Sequence, residues 1–369
     1  MIKHGTKTST IKLGNIIFQP VLLRLKKQRF YCKVCDQTFT ASTSLVDKHC
    51  YISNLIKSHI ALELKELQSM KTIGNRVAVS SHTVLRILKS IIKDLEPSLN
   101  SNSLPEHLSF DEFKSVKEAD GAMSFIYSDA RTHDLINIIE DRQQKNLIAY
   151  FQRYPYSARK KVKTVTIDMY SPYLAVIKDC FPNAKLIIDR FHIVQHLNRA
   201  LNRYRIEVMN KNRYRRPRDY RKLKKQWKLL LKNSWMVNSE RYTTHRLYEG
   251  MMTEKMMVNY LLSIDTEFSW IYELINDLKY SLSIGNFNHF KYHLQRSKER
   301  PLRRYIRTTL QTLEYYSEAI QNSCHYTLSN GHLEGINNKI KTMKRTGFGY
   351  RNFDHLRARG NCLVKIAVI

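Results

Sequence analysis

Val162-Lys163-Thr164-Val165-Thr166-Ile167-Asp168 is a β-branched run that stops on an acid. Val, Ile and Thr favour a pleated strand, and a carboxylate where such a run ends sits on a rigid scaffold at a sheet rim. Two stretches read the same way, Leu108-Ser109-Phe110 before Asp111 and Lys185-Leu186-Ile187-Ile188 before Asp189. Residues 123–128 and 135–139 add two strand candidates, as an antiparallel meander would, and helices fit 141–152 and 171–180. Residues 106–195 are therefore expected to form an α/β core. One acid at a strand end is commonplace, whereas two or three across a β-β-β-α-β pattern suit the ligands of a hard metal ion.

Outward from this core the pattern changes. Residues 1–50 read as short β segments: Val21-Leu22-Leu23-Arg24-Leu25 and Arg29-Phe30-Tyr31 as a hairpin, then the turn Cys32-Lys33-Val34-Cys35 and Thr38-Phe39-Thr40. Residues 51–96 take a helical period, with Leu55, Ile60, Leu64 and Leu67 as one stripe and Val84, Leu88 and Ile91 as another. Within them, residues 73–88 read as a helix-turn-helix. Ser80 or Ser81 would cap a second helix that buries Val84, Leu85 and Leu88 and exposes His82, Thr83 and Arg86. Any small three-helix unit could show that pattern. A polar linker over 96–105 closes the region.

Residues 196–328 are basic and helical, with no convincing strand. Residues 329–369 open on Asn330-Gly331-His332-Leu333-Glu334-Gly335-Ile336-Asn337-Asn338-Lys339-Ile340-Lys341. There Leu333, Ile336, Ile340 and Met343 make the apolar stripe, while Glu334, Asn337, Asn338 and Lys341 share a flank at i, i+3, i+4 and i+7. Taken alone, that flank reads as a solvated helix face.

Charge is the strongest global signal. Across 369 residues, 62 Lys and Arg stand against 32 Asp and Glu, a net +30. A polyanionic partner explains this balance, since each neutralised phosphate releases counterions; a ribosome-like or membrane-surface protein is the competing reading. The densest run is Arg213, Arg215, Arg216, Arg218, Arg221, Lys222, Lys224, Lys225 and Lys228, interleaved with Tyr214, Tyr220 and Trp227 and holding Asp219 as its only acid. It reads as a DNA contact in preference to a solvated face. No apolar run approaches the roughly 20 residues of a membrane span, and no signal peptide opens the chain, so a cytoplasmic protein is expected. Of six cysteines only Cys32 and Cys35 have ligand-like spacing, and no disulfide framework is expected.

The chain resembles the DDE transposases of the ISL-three group of bacterial insertion sequences. The matching segments, in family order, are Leu108-Ser109-Phe110-Asp111-Glu112-Phe113, Thr166-Ile167-Asp168-Met169-Tyr170-Ser171-Pro172-Tyr173, Asp189-Arg190-Phe191-His192-Ile193-Val194 and Asn330 to Asn337; the stretch from Ile340 to Phe353 matches too. The resemblance implies an RNase H-like catalytic core, a helical insertion within the 165 residues from 169 to 333, and a triad of Asp111, Asp168 and Glu334. Two magnesium ions, with manganese as a substitute, would then flank one scissile phosphate, Asp111 bridging them and Asp168 and Glu334 each favouring one. Cleavage by water and joining by a DNA 3′-hydroxyl are the same in-line displacement. Double-stranded DNA, at the terminal inverted repeats and the target, is the implied partner, and a dimer is expected to hold two ends.

Asp189 and His192 could orient this site, or Asp189 could cap the following helix. Lys339, Lys341, Lys344, Arg345 and Arg351 are expected to hold DNA near the metals. Cys32-x2-Cys35 looks like half of the zinc ribbon that the family carries, making residues 1–50 a partial β module. A structural zinc needs four ligands, and the family's other pair precedes a segment like His4-Gly5-Thr6-Lys7-Thr8, where this chain begins. His49 and Cys50 could substitute geometrically, but nothing in the sequence argues for it, so zinc binding is not expected. The closing Gly360-Asn361-Cys362-Leu363-Val364-Lys365-Ile366 also departs from the family's usual ending. Two other readings compete: a truncated relic that binds transposon ends as a repressor, and an RNase H-like nuclease acting on RNA or branched DNA.

Overall fold

A computed structural model describes residues 1–17, 19–99 and 102–365. Asn100 and Ser101 of the expected linker, and Ile366 of the closing segment, lie outside the described residues.

The chain opens on an antiparallel sheet of β1 (Ile2–Ile16), β2 (Gln19–Cys32) and β3 (Gln37–Thr40), in that order. The expected hairpin between residues 21–25 and 29–31 is absent, because both lie within β2. Its long partner is β1, which sets Ser9 opposite Leu25 and Thr10 opposite Arg24. The polar surface of β1 hid it from a hydrophobic-pattern reading, since Ile11 is its one fully buried residue. The Cys32–Cys35 turn does join β2 to β3, as expected.

Three helices follow: α1 (Asn54–Glu63), α2 (Met70–Arg76) and α3 (Ser81–Leu99). Each starts on a serine whose hydroxyl accepts an orphan amide: Ser53 from Ile56, Ser69 from Thr72 and Ser80 from Thr83. Ile60 and Leu64 of the expected stripe are buried, but Ile56 takes the place of Leu55, which is 71% exposed, and Leu67 stands beyond α1. Ile73, Val77, Val84 and Leu88 complete the core. Gly74 lets the chain fold back here, because a Cβ on it would stand 2.6 Å from the Val79 carbonyl oxygen. Helix α3 continues through Leu99, into the segment expected to be a linker.

Next come β4 (His107–Lys114), β5 (Met123–Asp129), β6 (Leu135–Ile139), α4 (Gln144–Phe151), α5 (Tyr156–Lys160), β7 (Thr164–Ile167), α6 (Pro172–Cys180) and β8 (Lys185–Ile188). A helical stretch follows: α7 (Arg190–Lys211), α8 (Pro217–Lys225), α9 (Trp227–Leu231), then β9 (Thr243–Thr244) and β10 (Met251–Met252). These last two pair as a short hairpin, strands that the sequence did not signal. The chain ends with α10 (Glu254–Leu262), α11 (Phe268–Ser283), α12 (Phe287–Arg296), α13 (Arg304–Tyr315), α14 (Ser317–His325), α15 (Gly331–Thr346) and α16 (Phe353–Lys365). No helix of the described residues is long and apolar enough to cross a membrane.

Contacts divide this mixed α/β chain into two compact units that cut across the five segments of the sequence reading. The first is Met1–Val162, Asp179–Pro182 and Gly331–Ile369; the second is Lys163–Lys178 and Asn183–Asn330.

In the first unit, β4, β5 and β6 run antiparallel, with Phe110 opposite Tyr127 and Asp111 opposite Ile126. Alternation splits the faces of β4. Phe110 joins an aromatic cluster in which it lies 4.9 Å from Phe125 and stacks on Phe151 at 5.5 Å. Phe113, two residues beyond Asp111, packs with Ile126 and Ile138 against Leu333, Ile336, Ile340 and Met343 of α15. The expected stripe of α15 is thus the one that is buried. Helix α16 places Ala358 and Cys362 against the α1–α3 core, and its buried Arg359 donates to the Glu66 carbonyl at 2.7 Å.

In the second unit, β7 and β8 are parallel and joined through α6. Ser323 of α14 fastens β8, accepting from the Ile188 amide at 3.1 Å and donating to its carbonyl at 2.6 Å. Helix α7 buries Leu197, Leu201 and Tyr204, the last set edge-on to Phe268 of α11 at 5.4 Å.

Candidate active site

The three expected catalytic acids fall in both units, and each group is built differently. In the first unit, Asp111 occupies the fifth position of the eight-residue β4 and is half-buried. It does not end the strand, as the sequence suggested; the acid pair Asp111-Glu112 mimics a terminus, but pairing with β5 continues to Lys114. The side chain of Asp111 emerges on the face that α15 covers. There Asn337 donates through Nδ2 to Asp111 Oδ2 at 2.7 Å, while the Glu112 amide donates to Oδ1 at 2.7 Å. Glu334 stands one turn before Asn337 on α15 and is exposed. At the start of that helix, His332 Nε2 lies 2.6 Å from Ser128 Oγ and its ring stacks on His133 at 4.4 Å. These contacts fix the rotation of α15 about its axis, and hence the direction in which Glu334 leaves it.

In the second unit, Asp168 and Asp189 do follow their strands directly. His192, in the first turn of α7, holds its Nε2 2.7 Å from Asp168 Oδ1. Asp189 caps α7, accepting from the Phe191 amide at 2.8 Å through Oδ1, and its Oδ2 accepts from the Asn330 amide at 2.7 Å. Asp189 therefore caps α7, one of its two expected roles, and also ties down the Asn330 peptide.

Asp111, Asp168 and Glu334 offer oxygen only, which is the donor chemistry of magnesium. No group of three or more His, Cys, Asp or Glu side chains is gathered as a ready-made cage among the described residues. Magnesium does not require one, because it keeps several waters and takes substrate phosphate oxygens beside one or two carboxylates.

The residues expected to meet DNA do not all reach the surface. On α3, His82 and Arg86 are exposed, but Thr83 is half-buried with its hydroxyl 3.1 Å from that of Ser80. Arg213, Arg215, Arg216, Arg218 and Lys225 are exposed. Lys222 is not: at 8% exposure its ammonium lies 3.7 Å from the Tyr260 ring centre and 4.7 Å from that of Tyr248. A cation held against two aromatic faces is a packing element. Arg218 also faces an acid distant in sequence, Glu249, at 3.6 Å. Beyond Glu334, Lys341, Arg345 and Arg351 are exposed. Lys344 turns inward and donates to the carbonyls of Lys114 at 2.6 Å and Ser115 at 3.0 Å, where burial lowers its pKa. On α15, Lys344 stands four residues after the buried Ile340, a spacing that could have flagged it, whereas Lys222 only adjoins the buried Leu223.

At the β2–β3 turn, the amides of Cys35 and Val34 point at the Cys32 sulfur and lower its thiol pKa. Cys32 is half-buried and Cys35 exposed, both as free thiols.

A sheet flanked by helices, carboxylates carried on it and a strongly basic surface describe an enzyme that works on nucleic acid. The chain belongs to the ISL3 group of DDE transposases, whose family model, described as "Transposase", matches residues 108–360. It is similar to the transposase for insertion sequence element IS1001 of Bordetella parapertussis, 24% identical over 354 residues, or 95% of this chain and 83% of that protein. A shorter likeness, 30% identical over 118 residues, covers 31% of this chain and 37% of a protein named ATP-dependent protease from Lactococcus lactis subsp. lactis. Family membership makes this chain a transposase, an enzyme that cuts and transfers DNA.

Proposed function

We propose that this transposase cleaves and joins strands at the terminal inverted repeats of its insertion sequence, through an RNase H-like core in which Asp111, Asp168 and Glu334 hold two magnesium ions. The observation that carries the reading is the environment of Asp111: mid-strand, half-buried, and held by Asn337 from the helix that bears Glu334. A carboxylate fixed from both its own strand and a helix more than two hundred residues away has a specified direction, which ion binding needs and a surface acid does not.

The bound magnesium ions, or manganese in their place, would supply the Lewis acidity that activates the attacking water or 3′-hydroxyl and stabilises the leaving oxygen. The protein's own work is positional. Asp111 would offer its carboxylate to the ions, His192 steadies Asp168, and Asp189 holds the segment leading to the last helix. Helices α2 and α3 act as the helix-turn-helix, with His82 and Arg86 towards DNA, and a dimer holds two ends.

The test is magnesium-dependent nicking and joining of labelled inverted-repeat DNA. Asp111→Asn, Asp168→Asn and Glu334→Gln should each abolish both steps while leaving end binding intact. Folded variants that cut as well as the unaltered chain would refute the triad. Binding without cutting by the unaltered chain would favour the repressor reading.

A further inference from the structure

Helix α7 carries a stripe of basic side chains, of which the mechanism uses only His192. His192, His196, Arg199 and Arg203 stand at i, i+4, i+7 and i+11, so all four lie on one face. From His192, beside Asp168, to Arg203 the helix rises about 16 Å. At its far end the stripe faces α13 across a groove of about 530 Å³, to which Arg304, Tyr305 and Thr308 also contribute.

The charges in this groove are unbalanced. No carboxylate lines it. Among the described residues no acid pairs with Arg199, Arg203 or Arg304, whereas the adjacent Arg303 meets Glu207 at 3.4 Å and Glu267 at 4.0 Å. Arg203 lies over Tyr305, its guanidinium carbon 4.3 Å from the ring centre. Arg199 is shared with the Gln195 side-chain oxygen at 2.5 Å, and all three arginines are exposed. Burial first, and then the neighbouring Arg199 and His192, lower the pKa of His196. Three guanidinium groups lining one groove without counter-charge repel one another unless an anion lies between them. Arg matches phosphate oxygens bidentately, so a run of phosphates is the ligand that this chemistry selects.

We propose that the groove between α7 and α13 binds the phosphate backbone of the DNA, separately from the Arg213–Lys228 run. The stripe on α7 makes a track for one strand, leading away from the phosphate cut beside Asp168 for on the order of five base-pair steps at ~3.4 Å each. The inference rests on the DNA-cleaving reading above.

The test is the salt dependence of end binding by the full chain. A triple variant, Arg199→Gln, Arg203→Gln and Arg304→Gln, should lower the slope of log affinity against log salt by up to about 2.7, roughly 0.9 per lost phosphate contact. Arg303→Gln, which removes a charge already paired with acids, should leave the slope unchanged. An unchanged slope in the triple variant overturns the groove, as does an equal per-charge loss in Arg303→Gln. If the unaltered chain fails to bind end DNA at all, the DNA-cleaving reading itself falls, and the groove with it. All three arginines are exposed, so folding should be kept; the pair Arg199→Gln and Arg203→Gln, expected to lose about 1.8, replaces the triple if it is not.

Discussion

The two units hold their acids by opposite means. In the second unit the holding is mostly local: Asp168 and Asp189 directly follow adjacent strands, His192 is the third residue after Asp189, and Asp189 caps its own helix, with the Asn330 amide as its one remote partner. In the first unit it is remote: Asp111 sits inside a strand and takes its direction from Asn337, 226 positions along the chain. Local holding survives in any context where the strand and helix form. Remote holding exists only once α15 has packed its apolar stripe onto the sheet. The difference teaches that half of the proposed site is a property of a short segment, and half a property of the completed fold.

The largest expected effect probes the remote half. Leu333→Ala opens a cavity under α15 and should cost about 2–5 kcal/mol of stability, read by thermal or denaturant unfolding. Asp111 would lose its fixed direction at the same time. A loss under 1 kcal/mol would mean that α15 is not anchored as described. Next, Asn337→Ala and His192→Ala should each lower magnesium-dependent cleavage by about 10–100-fold, since outer partners of metal ligands typically contribute that much. Equal losses would set the two modes of holding on a par; a silent Asn337→Ala would break the contrast.

The smallest effect concerns the helical part of the second unit. His293 of α12 is buried, with Asp277 3.4 Å away, His289 3.2 Å away and Arg296 on the next turn, and burial lowers its pKa below the ordinary 6.5. As pH falls through that ordinary value the unfolded chain takes up a proton that the folded chain refuses, so stability should decline. His293→Gln should flatten that acid-side slope in melts between about pH 7 and 5. No change in slope would mean that the histidine is not held neutral.

How far the sequence could be read follows the same division. Asp168, Asp189 and the stripe of α15 were legible because strand ends and helical periods are local signals. Asp111 was found as an acid but misplaced, since the polar Glu112 disguised the strand's continuation. Lys222 and Lys344 looked like DNA contacts because charge along the chain does not show which face turns inward. Strand β1 was missed because its polar residues pair with β2 along its length while burying little. Of the stripe on α7 the sequence reading singles out His192 alone, although His196, Arg199 and Arg203 follow it at helical spacing.

The central claim is that acids held locally in one unit and remotely in the other serve one pair of metal ions. Iron(II) put in place of magnesium, with ascorbate and peroxide and with uncut end DNA bound, would cut the polypeptide near whatever surrounds it. The account predicts backbone scission clustered at Asp111, Asp168 and Glu334, lost together in Asp168→Asn. Scission confined to the segments of one unit, or unaffected by Asp168→Asn, would contradict it.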